Sequence, residues 1–247
     1  MIQGIILAGG TGSRLSPTTD FINKHLFHVY NKPMIFYPID TLLKLGIQKI
    51  TIVTSKTTKR ILQNVLENHF RDCSFSIIVQ NNSNGVVGAF LKAIKNLSTK
   101  EDVAVILGDN IFLGNLSNLS NLSKLNIKDN AFDKSLIFTT ESSSPSRFGV
   151  IKPTENNNFE IVEKPVLPPS NEIVTGLYII KKNHFSYLEK VRLSKRGELE
   201  ITDFNNILIS KNKLYKIKLP NDIEWFDAGT HEDLFLASQK VRDLYEN

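Results

Sequence analysis

The sequence predicts an α/β fold: a Rossmann-like, mixed and mostly parallel central sheet flanked by helices. Three observations carry that reading. Short apolar runs alternate with helical patterns through the first half, strand patterns dominate the second half, and a glycine-rich turn directly follows the first apolar run. Alternating strand and helix is the pattern of parallel strands joined by helical crossovers. A turn leaving the first strand lies at the carboxyl edge of the sheet, where open α/β folds bind their ligands.

In chain order, Ile2–Leu7, Ile50–Thr54, Ser76–Val79 and Val103–Leu107 read as strands of the first half, with helices over Met34–Leu45, Lys59–Asn68 and Val87–Leu97 between them. The second half gives strands at Leu136–Thr140, Gly149–Lys152, Phe159–Val162, Val174–Ile180 and Leu214–Leu219. Its helices cover Lys182–Glu189, Ile201–Ser210 and Glu232–Leu244. No shift in composition marks a linker, so one unit is expected over residues 1–247, with halves meeting near residue 112 and a C-terminal helix from about 231. The run Asn115-Leu-Ser-Asn118-Leu-Ser-Asn121-Leu-Ser repeats every three residues. Leucine at that spacing drifts around an α-helix of about 3.6 residues per turn, which predicts a short or irregular helix.

With 247 residues and 41% hydrophobic content, the chain can bury a sizeable core. Apolar runs such as Ile5–Ala8 and Val103–Leu107 are too short to span a bilayer, and no cationic leader precedes the first strand pattern. Neither a membrane protein nor a secreted one is expected. A single cysteine, Cys73, excludes an internal disulfide framework and fits a reducing cytoplasm. Net charge is +5, from 30 basic and 25 acidic residues, but the lysines are scattered, which argues against a nucleic-acid partner.

The most informative segment is Gly4-Ile-Ile-Leu7-Ala-Gly9-Gly10-Thr11-Gly12-Ser-Arg14-Leu15, with Lys24 ten residues after the arginine. Glycines let backbone N–H groups turn toward an anion without a Cβ in the way, and two cations add full charge at the same place. A Walker A loop would need Gly-Lys-Ser/Thr, which is absent, and a dinucleotide fingerprint would need glycine where Leu15 stands. The second site signal is Leu107-Gly-Asp109-Asn110, at the end of a buried strand pattern, and a partner carboxylate is offered by Trp225-Phe-Asp227-Ala-Gly-Thr-His231. Two carboxylates holding Mg²⁺ against triphosphate oxygens suit phosphate chemistry.

Gly9-Gly10-x-Gly12-x-Arg14-Leu15 followed by Lys24-x-Leu26 resembles the sugar-1-phosphate nucleotidylyltransferases, and within them the glucose-1-phosphate thymidylyltransferases. Arg147-Phe-Gly149, Glu163-Lys164-Pro165, Val174-Thr-Gly176-Leu-Tyr178 and Arg196-Gly-Glu198-Leu-Glu200-Ile-Thr-Asp203 match further family segments, so the resemblance runs from about residue 2 to about residue 238. The resemblance implies transfer of a thymidylyl group from dTTP to a hexose 1-phosphate, glucose 1-phosphate in the first place, with pyrophosphate leaving and no covalent nucleophile needed, since the sugar phosphate is already anionic. It makes Arg14 and Lys24 the catalytic cations and Asp109 and Asp227 the Mg²⁺ ligands. Leu7, Gly9, Gly10, Thr11 and Gly12 would line the nucleotide, with Asp109 beside it. Gln80 would read the pyrimidine edge and Gly85 would allow close approach beneath the base. At the sugar phosphate, Gly149 gives backbone approach, Glu163 takes hydroxyls, and Lys164 and Arg196 handle the phosphate. Val174, Tyr178 and Trp225 complete that strand-rich, sugar-binding half. The resemblance further implies a homo-oligomer, dimer or tetramer, serving activated deoxysugar and surface polysaccharide synthesis.

The chain departs from the family pattern at Gly88, where relatives carry glutamine, at His28, where they carry proline, and at Phe148, where some carry tyrosine. Gly88 leaves the choice between dTTP and UTP open. Two other classes stay in view. A nucleotide-sugar-dependent glycosyltransferase would carry Asp-x-Asp where this chain has Asp109-Asn110-Ile111, and a non-catalytic sensor would have lost one of the four charges. The chain ends soon after Ala237 and Ser238, so a short form lacking the family's second, inhibitory nucleotide site is expected.

Overall fold

The computed structural model describes residues 2–80, 85–97, 101–116, 133–155 and 158–246. Most of the Asn-Leu-Ser repeat lies outside these residues. Strand β1 (Ile2–Ala8) leads through the glycine loop to a short hairpin, β2 (His28–Val29) and β3 (Lys32–Pro33), and then to helix α1 (Phe36–Lys44). There follow β4 (Lys49–Thr54), α2 (Lys56–His69), β5 (Ser74–Val79), α3 (Gly85–Asn96), β6 (Asp102–Leu107) and β7 (Asn110–Gly114). The second half contributes β8 (Ser135–Glu141), β9 (Gly149–Pro153), β10 (Phe159–Glu163), β11 (Glu172–Ile180) and α4 (Ile201–Ser210). It closes with β12 (Leu214–Lys218), β13 (Ile223–Asp227) and α5 (His231–Glu246).

The main sheet runs β10-β9-β11-β6-β1-β4-β5, with β8 pairing both β11 and β12. Strands β6, β1, β4 and β5 are parallel, as the helical crossovers require, and β11 joins antiparallel to β6. β1 is central and buried on both sides: Ile6 packs into one core cluster with Ile39, Leu42 and Phe138, and Ile5 into another with Phe90, Val105 and Phe204. A strand covered by helices on both faces reads as a continuous apolar run, which is why Ile5–Ala8 carries no alternation.

Three features differ from the sequence expectation. Lys182–Lys190 winds as successive 3₁₀ turns rather than a helix of α pitch. Its start is pinned by the Lys182 N–H to Asp102 (2.9 Å) and by buried His184 to Ser135 (2.8 Å). The strands β7 and β13 were not anticipated, although they pair antiparallel as a separate two-stranded sheet with Asp227 opposite Asn110. Their partnership spans more than a hundred residues, so no local period announces it. Helix and strand ends otherwise shift by one to three residues, the ordinary uncertainty of such boundaries.

Candidate active site

β1 and β6 end side by side, and the Gly108 N–H donates to the Leu7 carbonyl at 2.9 Å. The glycine loop and Asp109 therefore leave the sheet together. The pairing of β13 with β7 then brings Asp227 alongside, and the Ala228 N–H donates to the Asp109 carbonyl at 2.9 Å. Two carboxylates distant in sequence are thus placed by backbone ladders, not by flexible side chains.

They stand in a crevice with two connected lobes. The larger, about 590 Å³, is lined by Leu7, Gly9, Gly10, Arg14, Lys24, Gln80 and Gly85, with Asp109 at its inner end. The smaller, about 240 Å³, is lined by Gly149, Glu163, Val174, Tyr178, Trp225 and Asp227. Asp109, Arg14, Lys164 and Arg196 belong to both. Thr11 and Gly12, expected at the nucleotide, line neither lobe. Gly12 adopts φ +71° because the chain turns there: its carbonyl accepts from Leu15 N–H (2.8 Å) and from the Thr19 hydroxyl (3.1 Å). Gly85 is also left-handed (φ +75°), and a Cβ there would lie 2.7 Å from the Leu199 carbonyl oxygen, so backbone packing already demands glycine.

In the larger lobe, a Cβ on Gly9 would fall 2.8 Å from Gln80 Oε1, which shows how closely that amide approaches the loop. Lys24 forms an ion pair with Asp109 Oδ2, while Asn110 Nδ2 donates to Asp109 Oδ1 at 3.2 Å. Burial works against the Asp109 charge, and the Lys24 ammonium outweighs it, holding the carboxyl below the usual carboxylate range. Asp227 goes the other way. Burial and then the Asp109 charge push it up to about 7, against the pull of Arg14 and Lys24. His25 is fully enclosed, and burial followed by Lys24 pushes its imidazole down to about 3, so it is neutral. Its Nδ1 accordingly donates to Asn23 Oδ1 at 2.7 Å.

In the smaller lobe, Glu163 accepts from the Thr202 hydroxyl and meets Arg196 (3.4 Å) and Lys164 (3.6 Å). A break in the β11–β8 register between Val174 and Tyr178 re-aims that stretch, a common use of bulges beside binding sites. Burial, then the Glu163 charge, raises the Tyr178 phenol well above its ordinary range.

Sequence reasoning missed two residues. Asn110 Oδ1 accepts from the Gly176 N–H (2.8 Å) and from Trp225 Nε1 (2.6 Å), fastening β11, β13 and Asp109 together. A Cβ on Gly176 would sit 2.4 Å from that oxygen, so the close approach requires glycine there, and no local sequence signal links the two positions. Arg147 lines both lobes and grips Asp233 at the start of α5 with both guanidinium nitrogens. Among the described residues no cluster of three or more His, Cys, Asp or Glu side chains could hold a metal ion by itself. Asp109 and Asp227 fit a hard divalent cation whose remaining ligands are water or phosphate oxygens.

Residues 3–243 match the family model described as nucleotidyl transferase. The chain belongs to that family. Among similar nucleotidyl transferases, the glucose-1-phosphate thymidylyltransferase of Neisseria meningitidis is 35% identical, over 98% of this chain and 83% of its own length. That of Mycobacterium tuberculosis (strain ATCC 25618 / H37Rv) is 34% identical, over 98% and 83%. Among solved structures, one described as a glucose-1-phosphate thymidylyltransferase of Bacillus anthracis, in complex with sucrose, superposes with TM-score 0.86 at 34% identity, covering 98% of this chain and 96% of that one. An apo UDP-glucose pyrophosphorylase gives TM-score 0.83 at 25% identity, covering 99% and 100%. The nucleotidyl transferase fold accounts for the mixed sheet and for a crevice at its carboxyl edge. No helix among the described residues is long and apolar enough to cross a membrane.

Proposed function

We propose that this chain transfers a thymidylyl group from dTTP to glucose 1-phosphate, giving dTDP-glucose and pyrophosphate. The observation that carries the reading is Asp109 lining both lobes with Asp227 beside it in the smaller one, and Arg14, Lys164 and Arg196 shared between the lobes. The larger lobe takes the triphosphate and the smaller one the sugar phosphate. A phosphate oxygen of the sugar attacks the α-phosphorus of dTTP; that P–O bond forms as the bond to the β-phosphate bridge breaks. The attacking oxygen is already anionic, so no base is needed to deprotonate it, and the work lies in alignment and charge neutralisation.

Arg14 holds the departing β- and γ-phosphates. Lys24 exchanges Asp109 for the α-phosphate side of the nucleotide, leaving that carboxylate to a cation. Mg²⁺ held by Asp109 and Asp227 would neutralise charge on the triphosphate oxygens. Lys164 and Arg196 orient the sugar phosphate, and Glu163, fixed by Thr202, accepts sugar hydroxyls. Gln80 pairs its amide with the pyrimidine, a match that thymine and uracil share. The likeness to a UDP-glucose pyrophosphorylase makes UTP the second nucleotide to test.

The test is pyrophosphate release by the purified protein with Mg²⁺, glucose 1-phosphate and either dTTP or UTP, with product analysis. The expected result is dTDP-glucose at the higher kcat/KM. Asp227→Asn should remain folded and lose about 10²–10³ in turnover, as for one preorganised charge at a transition state. Near-normal turnover in that variant, or no pyrophosphate from any pair, would overturn the reading.

A further inference from the structure

Asn205 is 1% exposed, yet its Oδ1 is a buried acceptor without a hydrogen-bond partner. The residue stands on α4 in the wall of the smaller lobe. Its neighbour Asn206 is the opposite case: Oδ1 accepts from the Ile161 N–H (2.9 Å) and Nδ2 donates to the Ile161 carbonyl (2.8 Å). That pair of hydrogen bonds to β10 fixes the roll of α4. Thr202, three residues before Asn205 and on the same side of the helix, is tied to Glu163. These bonds set the roll of α4, and that roll carries Asn205 into the wall of the smaller lobe.

A buried amide left unmade is costly and rare, and an apolar side chain of similar size would serve packing better. The other orphaned atom among the described residues, His184 Nε2, lines neither lobe. Asn205 does, beside Glu163, which already presents its carboxylate to the same space. A carboxamide offers one acceptor and two donors, the complement of a hydroxyl that both donates and accepts.

We propose that the Asn205 carboxamide takes a hydroxyl of the hexose and is a specificity-determining residue of the smaller lobe. The inference rests on the hexose 1-phosphate reading of that lobe. In the purified enzyme, Asn205→Leu and Asn205→Ala should raise KM for glucose 1-phosphate about ten- to hundredfold and leave KM for dTTP unchanged. The urea midpoint of Asn205→Leu should not fall below that of the wild type. A series of singly deoxygenated glucose 1-phosphates separates recognition from packing. One analogue should cost the wild type the same factor and cost the variants nothing further. Additive penalties on every analogue, or an unchanged KM for glucose 1-phosphate, would overturn the proposal. A wild type that turns over no hexose 1-phosphate would overturn the reading of the lobe itself, and this assignment with it.

Discussion

Lys24 and Asp109 form an ion pair at the junction of the two lobes, with side chains only 10% and 12% exposed. A buried pair of this kind does two things. It neutralises a carboxylate that burial would otherwise penalise, and it occupies the oxygen that the proposed divalent cation would take. Removing the ammonium leaves Asp109 uncompensated beside Asp227. Lys24→Met should therefore be about 3–5 kcal/mol less stable than the wild type in chelator, by the usual cost of orphaning a buried charge. Added Mg²⁺ should recover more of that loss in the variant than it adds to the wild type, because no ammonium competes for Asp109. Turnover should fall by about 10²–10³ all the same. Urea denaturation with and without Mg²⁺, followed by pyrophosphate assays, checks all three outcomes.

Gly9→Ala tests the nucleotide lobe. The new Cβ would lie 2.8 Å from Gln80 Oε1, the far end of a flexible side chain, so the fold can yield by moving that amide. Stability should change by less than about 1 kcal/mol, while KM for dTTP rises about tenfold as the amide proposed to read the base is displaced. Thermal denaturation and steady-state kinetics with both substrates measure the split. A comparable rise in KM for glucose 1-phosphate would contradict it.

Asn110→Ala should be among the most damaging single changes. It strands the buried Gly176 N–H, at about 1–3 kcal/mol, and frees the half-buried Trp225 indole N–H at a smaller cost. Gly176→Ala reaches the same result from the other side, since its Cβ would overlap Asn110. The two changes should be strongly non-additive, because either one breaks the same fastening. Denaturant unfolding of both single variants and the double variant tests this.

Two buried histidines cost stability as pH falls, while Asp227, whose carboxyl is raised to about 7, adds to it over the same range, so the histidine contribution is read against an Asp227→Asn background. Burial lowers both His184 and His25, the latter to about 3. A lowered folded value means that the unfolded chain takes up the proton first. Stability is then full above the unfolded value of about 6.5 and is lost as pH falls through it toward the folded value. Between about pH 7 and about pH 5 the His25 contribution alone is a loss of about 2 kcal/mol. His184→Asn, which keeps a polar atom near the Ser135 hydroxyl, should flatten that slope. Urea midpoints across the range, at constant ionic strength, are the measurement.

What the sequence disclosed follows from locality. The parallel core was legible because each of its strands is a short apolar run bounded by helical periodicity, as at Ile50–Thr54 and Val103–Leu107. The glycine loop was legible because it sits immediately after β1, and Asp109 because it follows β6. Asp227 could be matched to Asp109 as chemistry, but not as geometry. The β7–β13 ladder that joins them pairs Asp227 with Asn110 across more than a hundred residues, with no local trace. Asn110 carries no signal of its role, because an Asp-Asn pair is equally at home in a turn. Arg147 read as part of a segment, since its partner Asp233 lies 86 residues away. Lys182–Lys190 has helix-forming composition, and only its tertiary anchors at Asp102 and Ser135 tighten it into 3₁₀ turns.

Trp225 gives its indole N–H to Asn110 and packs edge-on against Phe148, with ring centroids 5.3 Å apart. It is also the chain's single tryptophan. The protein therefore carries one indole among six tyrosines, and it stands in the wall of the smaller lobe. Emission excited at wavelengths that the indole absorbs and tyrosine does not reports on that compartment, so binding there can be followed by light without altering a residue.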